Sequence, residues 1–213
     1  MNDKLISMGI EPFRTDRFEH VLLGDVVHAH LRLCDDDTEV HRREMVRACF
    51  SAIEGMFFLM KQSFLDHPNC SEILSIHERA ALSEESYQVA KNGRVTLQTK
   101  YTSLPSMYKL LIRLAERTHP EYCNNTINAK SWSAFLGAHG VRNRLTHPKD
   151  LDDLKVSRKE ANTCLAAVLR VVVLAVDIAT LNRQWAEAEI SRLSPEFPNP
   201  FVDRDIDDPA HPE

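Results

Sequence analysis

A chain of 213 residues with 43% apolar and 27% charged residues can hold one domain with a sizeable core, and its ordinary composition excludes a fibrous, low-complexity or wholly disordered protein. The formal charge of −5 argues against a general nucleic-acid binder, whose footprint is basic. Five cysteines without C-x-x-C pairing read as reduced thiols and not as a disulfide framework or zinc site; with an N-terminus lacking a basic region and a long apolar stretch, they point to the cytoplasm.

The charge is unevenly spread. From Ser191 onward six carboxylates stand against Arg192 and Arg204 only, which leaves the remaining body near −1. That body is locally basic around Arg142, Arg144, Lys149, Lys155, Arg158 and Lys159.

Residues 1–15 read as an irregular lead with Pro12 as a boundary. A first helix follows, because Phe18, Val21, Leu22, Val26, Ala29 and Leu33 recur at three- and four-residue spacing before the Asp35-Asp36-Asp37 turn. Asp25, His28, His30 and Cys34 carry metal-ligating groups, but His28 and His30, two apart, point to different sides of a helix. Solvated histidines are the simpler reading, and no metal is expected.

From Glu39 to about Leu65 the chain has its strongest helical pattern, with Met45, Cys49, Ala52, Ile53, Met56, Phe57 and Met60 forming a wide apolar face. This is the expected central helix. Arg43, Arg47, Ser51, Glu54 and Lys61 fall on its polar stripe. Two readings are open for that stripe: solvated or ion-paired side chains, or Arg47 or Glu54 turned toward a functional cluster as an orienting or RNA-contacting group.

His67-Pro68-Asn69 ends that helix, and a shorter one is expected over Ser71 to Lys91. Asn92-Gly93 signals a turn. Arg94 to Tyr101 alternates like a short strand or extended loop, and Pro105 opens a further helix through Ala115. Thr118 to Ala129 is polar and turn-rich.

The stretch from Trp132 to Pro148 ends an apolar helical run with Arg142, Asn143 and His147 close together. In a regular helix Asn143 and His147 share a face, whereas Arg142 and His147 diverge by about 140°. Pro148 disfavours the α region for the residue before it, so His147 belongs at a frayed helix end, with its ring free to swing toward Arg142. Beyond Pro148, Ser157 and Glu160 form an S-x-x-E capping box that starts a last helix of about thirty residues. Ala161, Leu165, Val168, Val172, Ala175, Ala179, Asn182 and Ala186 trace its apolar seam, with Leu169, Val176 and Trp185 broadening the buried side. The most apolar run, Val168 to Leu181, contains Arg170 and Asp177 and is shorter than the about 20 residues a membrane span needs. Arg170 and Asp177 share a helix face, which reads as a solvated or interface stripe. The tail, 194–213, rich in Pro and Asp, is expected to be extended and disordered.

Arg142-Asn143-x-x-x-His147 resembles the R-N-x-x-x-H form of the Arg-x(4 to 6)-His signature of HEPN domains, all-helical modules of many prokaryotic toxins and defence proteins. The motif lies, as in that family, at the end of a penultimate core helix, and the resemblance covers roughly residues 15–190. It implies an all-α HEPN-like bundle over 16–193 with a long last helix and at most a short strand or hairpin near 93–104. It also implies a metal-independent endoribonuclease without cofactor, leaving a 2′,3′-cyclic phosphate and a 5′-hydroxyl. Arg142, Asn143 and His147 would be catalytic, with Arg144, Lys149 and Arg47 contacting RNA. The family works as homodimers whose two motifs line one cleft, so a homodimer is expected, with an antitoxin or other regulatory protein as a further partner. One departure stands out: where toxins paired with nucleotidyltransferase antitoxins commonly carry a Tyr two residues after the motif His, this chain has Lys149. A non-catalytic RNA- or nucleotide-binding module and a partner-interaction protein are the alternative functions.

Overall fold

The computed structural model describes residues 17–67, 69–118 and 129–193; the lead, the tail and most of the turn-rich stretch before the motif lie outside them. Within that range the chain is an all-helical bundle carrying one hairpin. Its elements are α1 Phe18–Asp35, α2 Glu39–Leu65, the short α3 Cys70–Ile73 and α4 Ile76–Leu82, β1 Glu85–Val89, β2 Val95–Thr99, α5 Leu104–Thr118, α6 Ala129–Thr146, a 3-10 turn Asp152–Leu154, and α7 Arg158–Leu193.

The apolar pattern of α2 goes nearly all the way round, and the bundle forms by enclosing it. Val46, Cys49, Phe50, Ile53, Met56, Phe57, Met60 and Phe64 are all buried, with α1 on one side and α7, α5 and α6 on the others. Thr38 caps its start by accepting from the backbone N–H of His41 at 3.3 Å. Gly55 lets α1 approach closely, since a β-carbon there would run into Leu22 and crowd Phe18.

The expected single helix over 71–91 is broken instead. Ser75 starts α4 with a capping box to Glu78, and Glu85 to Val89 pairs antiparallel with Val95 to Thr99, Tyr87 opposite Leu97. A hydrogen bond from the Ala90 N–H to the Arg94 carbonyl, at 2.8 Å, closes the turn, and Gly93 sits in the left-handed region at φ 76°, which a tight hairpin loop requires. The turn signal therefore joins two strands, of which the sequence pattern suggested only the second. Glu84, at φ 56°, is the one non-glycine residue in the left-handed region among the described residues. There it turns its carboxylate back to Lys61 Nζ at 3.0 Å, fastening the base of the hairpin to α2.

α7 begins at the predicted capping box: the Ser157 N–H and hydroxyl both donate to Glu160 Oε2 at 2.8 Å, and the Glu160 N–H donates to Ser157 Oγ at 3.2 Å. At 36 residues it is longer than expected, and its stretch Arg158–Gln184 is long and apolar enough to cross a membrane by length and composition. Its buried seam is rotated from the expected one, running through Ala161, Cys164, Val168, Val171, Leu174 and Ile178. Leu169 and Val176, expected to widen the buried side, are exposed.

Arg117 joins α5 to α4 by a two-pronged pair with Glu78, at 2.9 and 3.0 Å. That guanidinium, with the Ser75 N–H and hydroxyl, holds the Glu78 carboxyl down to about 2, from an ordinary 4.5. The unfolded chain takes up this proton near 4.5, so the stabilisation is complete above that pH and is lost as pH falls toward 2. We expect Glu78→Gln to cost roughly 1–3 kcal/mol at neutral pH, with the gap to wild type in denaturant titrations closing near pH 2.

Candidate functional site

The rotation of α6 about its axis is set by aromatic packing. Phe135 stacks with Trp132 at 5.9 Å between ring centroids and lies 4.6 Å from Tyr108 of α5, which itself stacks on Phe57 of α2 at 5.5 Å. Lys109 covers the Trp132 ring at 4.6 Å. With Phe135, Ala138, Val141 and Leu145 facing the core, the helix period carries His139, Arg142 and Asn143 to the side facing α2 and the foot of the hairpin.

There they line an open cavity of about 540 Å³, together with Glu54, Phe57 and Lys61 of α2, Glu84, the segment Tyr101–Ser103, and Leu104 and Met107 of α5. Four of its polar side chains form a continuous chain. Arg142 donates from Nη2 to Glu54 Oε1 at 2.8 Å and from Nη1 to Asn143 Oδ1 at 3.3 Å. The Asn143 amide nitrogen lies 3.4 Å from His139 Nδ1. Since Arg142 occupies the oxygen end of the Asn143 side chain, its NH₂ end faces the ring; Nδ1 then accepts and the ring proton sits on Nε2. Burial, the Arg142 charge beside it and, in opposition, the Glu54 carboxylate act on His139, with the net effect of lowering its pKa below the ordinary 6.5. It is a neutral imidazole at physiological pH with one N–H to offer.

The structure thus brings together Arg142 and Asn143 from the motif and Glu54 from the polar stripe of α2. His147 is placed apart. α6 ends at Thr146, the His147 N–H still bonds the Asn143 carbonyl at 3.0 Å, and the exposed ring stands one turn beyond the cavity lining. The imidazole that Asn143 engages is therefore four residues before it, not four after. His139 was missed on the sequence, although the four-residue spacing applied to Asn143 and His147 picks out His139 and Asn143 equally well.

The basic residues around the motif divide in two. Arg144 turns away from the cavity into the loop before α7, donating to the carbonyls of Asp153 at 3.1 Å and Lys155 at 2.6 Å and to Glu160 Oε1 at 3.0 Å. Arg158 is likewise engaged, with the Leu33 carbonyl at 2.8 Å and Asp37 at 3.6 Å. Arg47 and Lys149 are exposed; Arg47 lies two turns before Glu54 on the same face of α2, and Lys149 ties its backbone N–H to Asp153 at 2.8 Å.

Asp25, His28, His30 and Cys34 do not converge: His30 lies 3.6 Å from Cys34, and among the described residues no group of three His, Cys, Asp or Glu side chains could hold a metal ion. Cys34, Cys49, Cys70 and Cys164 are free thiols, and burial pushes Cys164 up to about 12 and Cys49 higher still, so neither buried thiol is a nucleophile. Compared with protein-family models, curated proteins and solved structures, the chain returns no match.

Two outcomes are expected. Arg144→Ala should lose roughly 2–3 kcal/mol in urea denaturation, because it strands two loop carbonyls and Glu160, whereas Arg47→Ala should leave stability within about 0.5 kcal/mol. In an NMR titration, Arg142→Ala should move the His139 pKa upward toward 6.5, because a cation is removed and the Glu54 charge is freed.

Proposed function

We propose that the chain is a HEPN-type, metal-independent endoribonuclease whose scissile phosphodiester lies against Arg142. The observation that carries this reading is the hydrogen-bonded chain Glu54–Arg142–Asn143–His139 at the wall of an open cavity, with His147 one turn further on.

Cleavage by the ribose 2′-hydroxyl needs a base for its proton, donors for the charge that gathers on the phosphorane, and a proton for the departing 5′-oxygen. Arg142 spends one N–H on Glu54 and one on Asn143 and keeps the rest of its five for phosphate oxygens. His139 adds a neutral Nε2–H donor whose tautomer Asn143 fixes. His147, exposed at the end of α6 before Pro148, is the base. The 2′-oxygen bonds to phosphorus as its proton passes to His147. The bond from phosphorus to the 5′-oxygen breaks, solvent protonates that oxygen, and His147 returns its proton to water. A 2′,3′-cyclic phosphate and a 5′-hydroxyl remain.

A second reading, a module that binds a nucleotide without cutting it, draws support from the pairing of both cavity cations, Arg142 with Glu54 and Lys61 with Glu84. Purified protein incubated with single-stranded RNA decides between them. We expect cyclic-phosphate products that persist in EDTA, a loss of about 10²–10⁴-fold in His147→Ala, and a comparable loss in Arg142→Ala. RNA bound but uncut by wild type would establish the second reading, and equal cutting by wild type and His147→Ala would remove the first.

A further inference from the structure

The face of α7 turned away from the bundle carries a feature that the cavity does not use. Asn162, Ala166, Leu169, Val173, Val176 and Thr180 are all exposed, and their spacing alternates four, three, four, three, four. Leu169, Val173 and Val176 each leave more than half of their surface open, at 58%, 59% and 57%. This seam lies opposite the buried one of Ala161, Cys164, Val168, Val171 and Ile178. Alternating three- and four-residue spacing on an open helix face is the pattern by which two helices interlock. None of the six residues lines the cavity.

We propose that this seam is a self-association surface on which a second copy of the chain packs its own α7 antiparallel, about a two-fold axis level with Val173 and Leu174. The charges beside the seam select the occupant and its direction. Arg170 and Asp177 follow Leu169 and Val176 by one residue each, on the same flank, and neither forms an ion pair within the chain among the described residues. A two-fold axis perpendicular to the paired helices returns each flank to itself while reversing its order. With the axis midway between positions 170 and 177, Arg170 meets the partner subunit's Asp177, and Asp177 meets the partner subunit's Arg170. The same register serves the apolar residues. At about 1.5 Å of rise per residue, Val176 comes level with the gap between the partner's Leu169 and the partner's Val173, as knobs-into-holes packing requires. A parallel pair would place Arg170 level with the partner's Arg170 and Asp177 level with the partner's Asp177, and would form neither bridge.

This pairing differs from the shared cleft that the family resemblance implies. Arg144 ties the motif end of α6 to Glu160, at 3.0 Å, some thirteen residues or about 20 Å from the axis. In this pairing the two motifs stand about 40 Å apart.

The test measures the mass of the full chain by light scattering across micromolar concentrations, and does not depend on any activity of the cavity. Wild type should be a dimer. Val173→Glu, at an open position where folding is not at stake, should weaken association at least about a hundredfold. Arg170→Asp gives an all-acidic flank and Asp177→Arg an all-basic one, so each variant alone should be largely monomeric. Mixed together, they should pair, and the double variant carrying both changes should regain wild-type association. A monomeric wild type, a dimer indifferent to Val173→Glu, or single variants that fail to pair on mixing would overturn the proposal. So would a wild-type chain that sediments with phosphatidylcholine vesicles in place of dimerising, since the face would then be a lipid surface.

Discussion

The structure depends on enclosing α2. A helix with Val46, Cys49, Phe50, Ile53, Met56, Phe57, Met60 and Phe64 buried cannot lie on a surface; it needs neighbours on nearly every side, and burying side chains of this size is worth about 1.5–3 kcal/mol each before entropy is counted. α1, α5, α6 and α7 supply those sides. What remains open is a narrow stripe, Arg47, Ser51, Glu54 and Phe58, and the cavity is walled where α6 and the foot of the hairpin border it. Glu54 meets Arg142 because the same packing that closes the core leaves both at one edge.

A second constraint concerns charge. Around the motif the sequence is basic, yet much of that charge is turned inward. Arg144, Arg43 and Arg42 reach the carbonyls of Asp153, Leu154, Lys155 and Val156, the loop backbone that joins α6 to α7. Arginine suits this work because its rigid fork of donors satisfies several acceptors at once and stays charged at any accessible pH. The loop so fixed sets where α7 begins and, through Glu160, where α6 ends. A residue needed for that purpose is not free to contact a nucleic acid, so the local excess of Arg and Lys overstates the positive surface near the cavity.

The parts of this protein that are legible in its sequence are those governed by period and capping. α1, α2 and α6, and the start of α7 at Ser157, follow from apolar spacing, Asp runs, Pro148 and the capping box. The hairpin was half legible: Asn92-Gly93 marks its turn, but Glu85 to Val89 lacks the apolar alternation of a half-buried strand because both of its faces are largely exposed. Three- and four-residue spacing fixes which residues share a face without saying which face turns inward, and the buried seam of α7 was misjudged for that reason. The cavity was partly legible as well. Arg142, Asn143 and Glu54 stand out in the sequence, whereas His139 lies one turn before Asn143 in a stretch that no motif or helix-end signal marks. Lys61 and Glu84 could not have been paired from sequence, since their contact depends on a left-handed residue that no turn motif announces.

The cavity's own charges then govern what can enter it. Among its lining residues Arg142 and Lys61 each hold a carboxylate, so an anionic ligand must share or displace Glu54 or Glu84. These displacements differ in difficulty. Glu54 is nearly half exposed, and an ion pair open to water is worth at most about 1 kcal/mol, whereas the Lys61–Glu84 pair is largely enclosed, with side-chain exposures of 13% and 24%, and is held by the strained turn at the foot of the hairpin. On the proposed ribonuclease reading, a phosphate at the cavity meets Arg142 as the yielding cation and Lys61 as the committed one. As Glu54 gives way, Arg142 keeps its bond to Asn143, and Asn143 keeps the His139 ring in the tautomer that presents Nε2–H. On that reading the donors for a phosphate all stand on α6, and Glu54 of α2 is the counter-ion that a phosphate would replace.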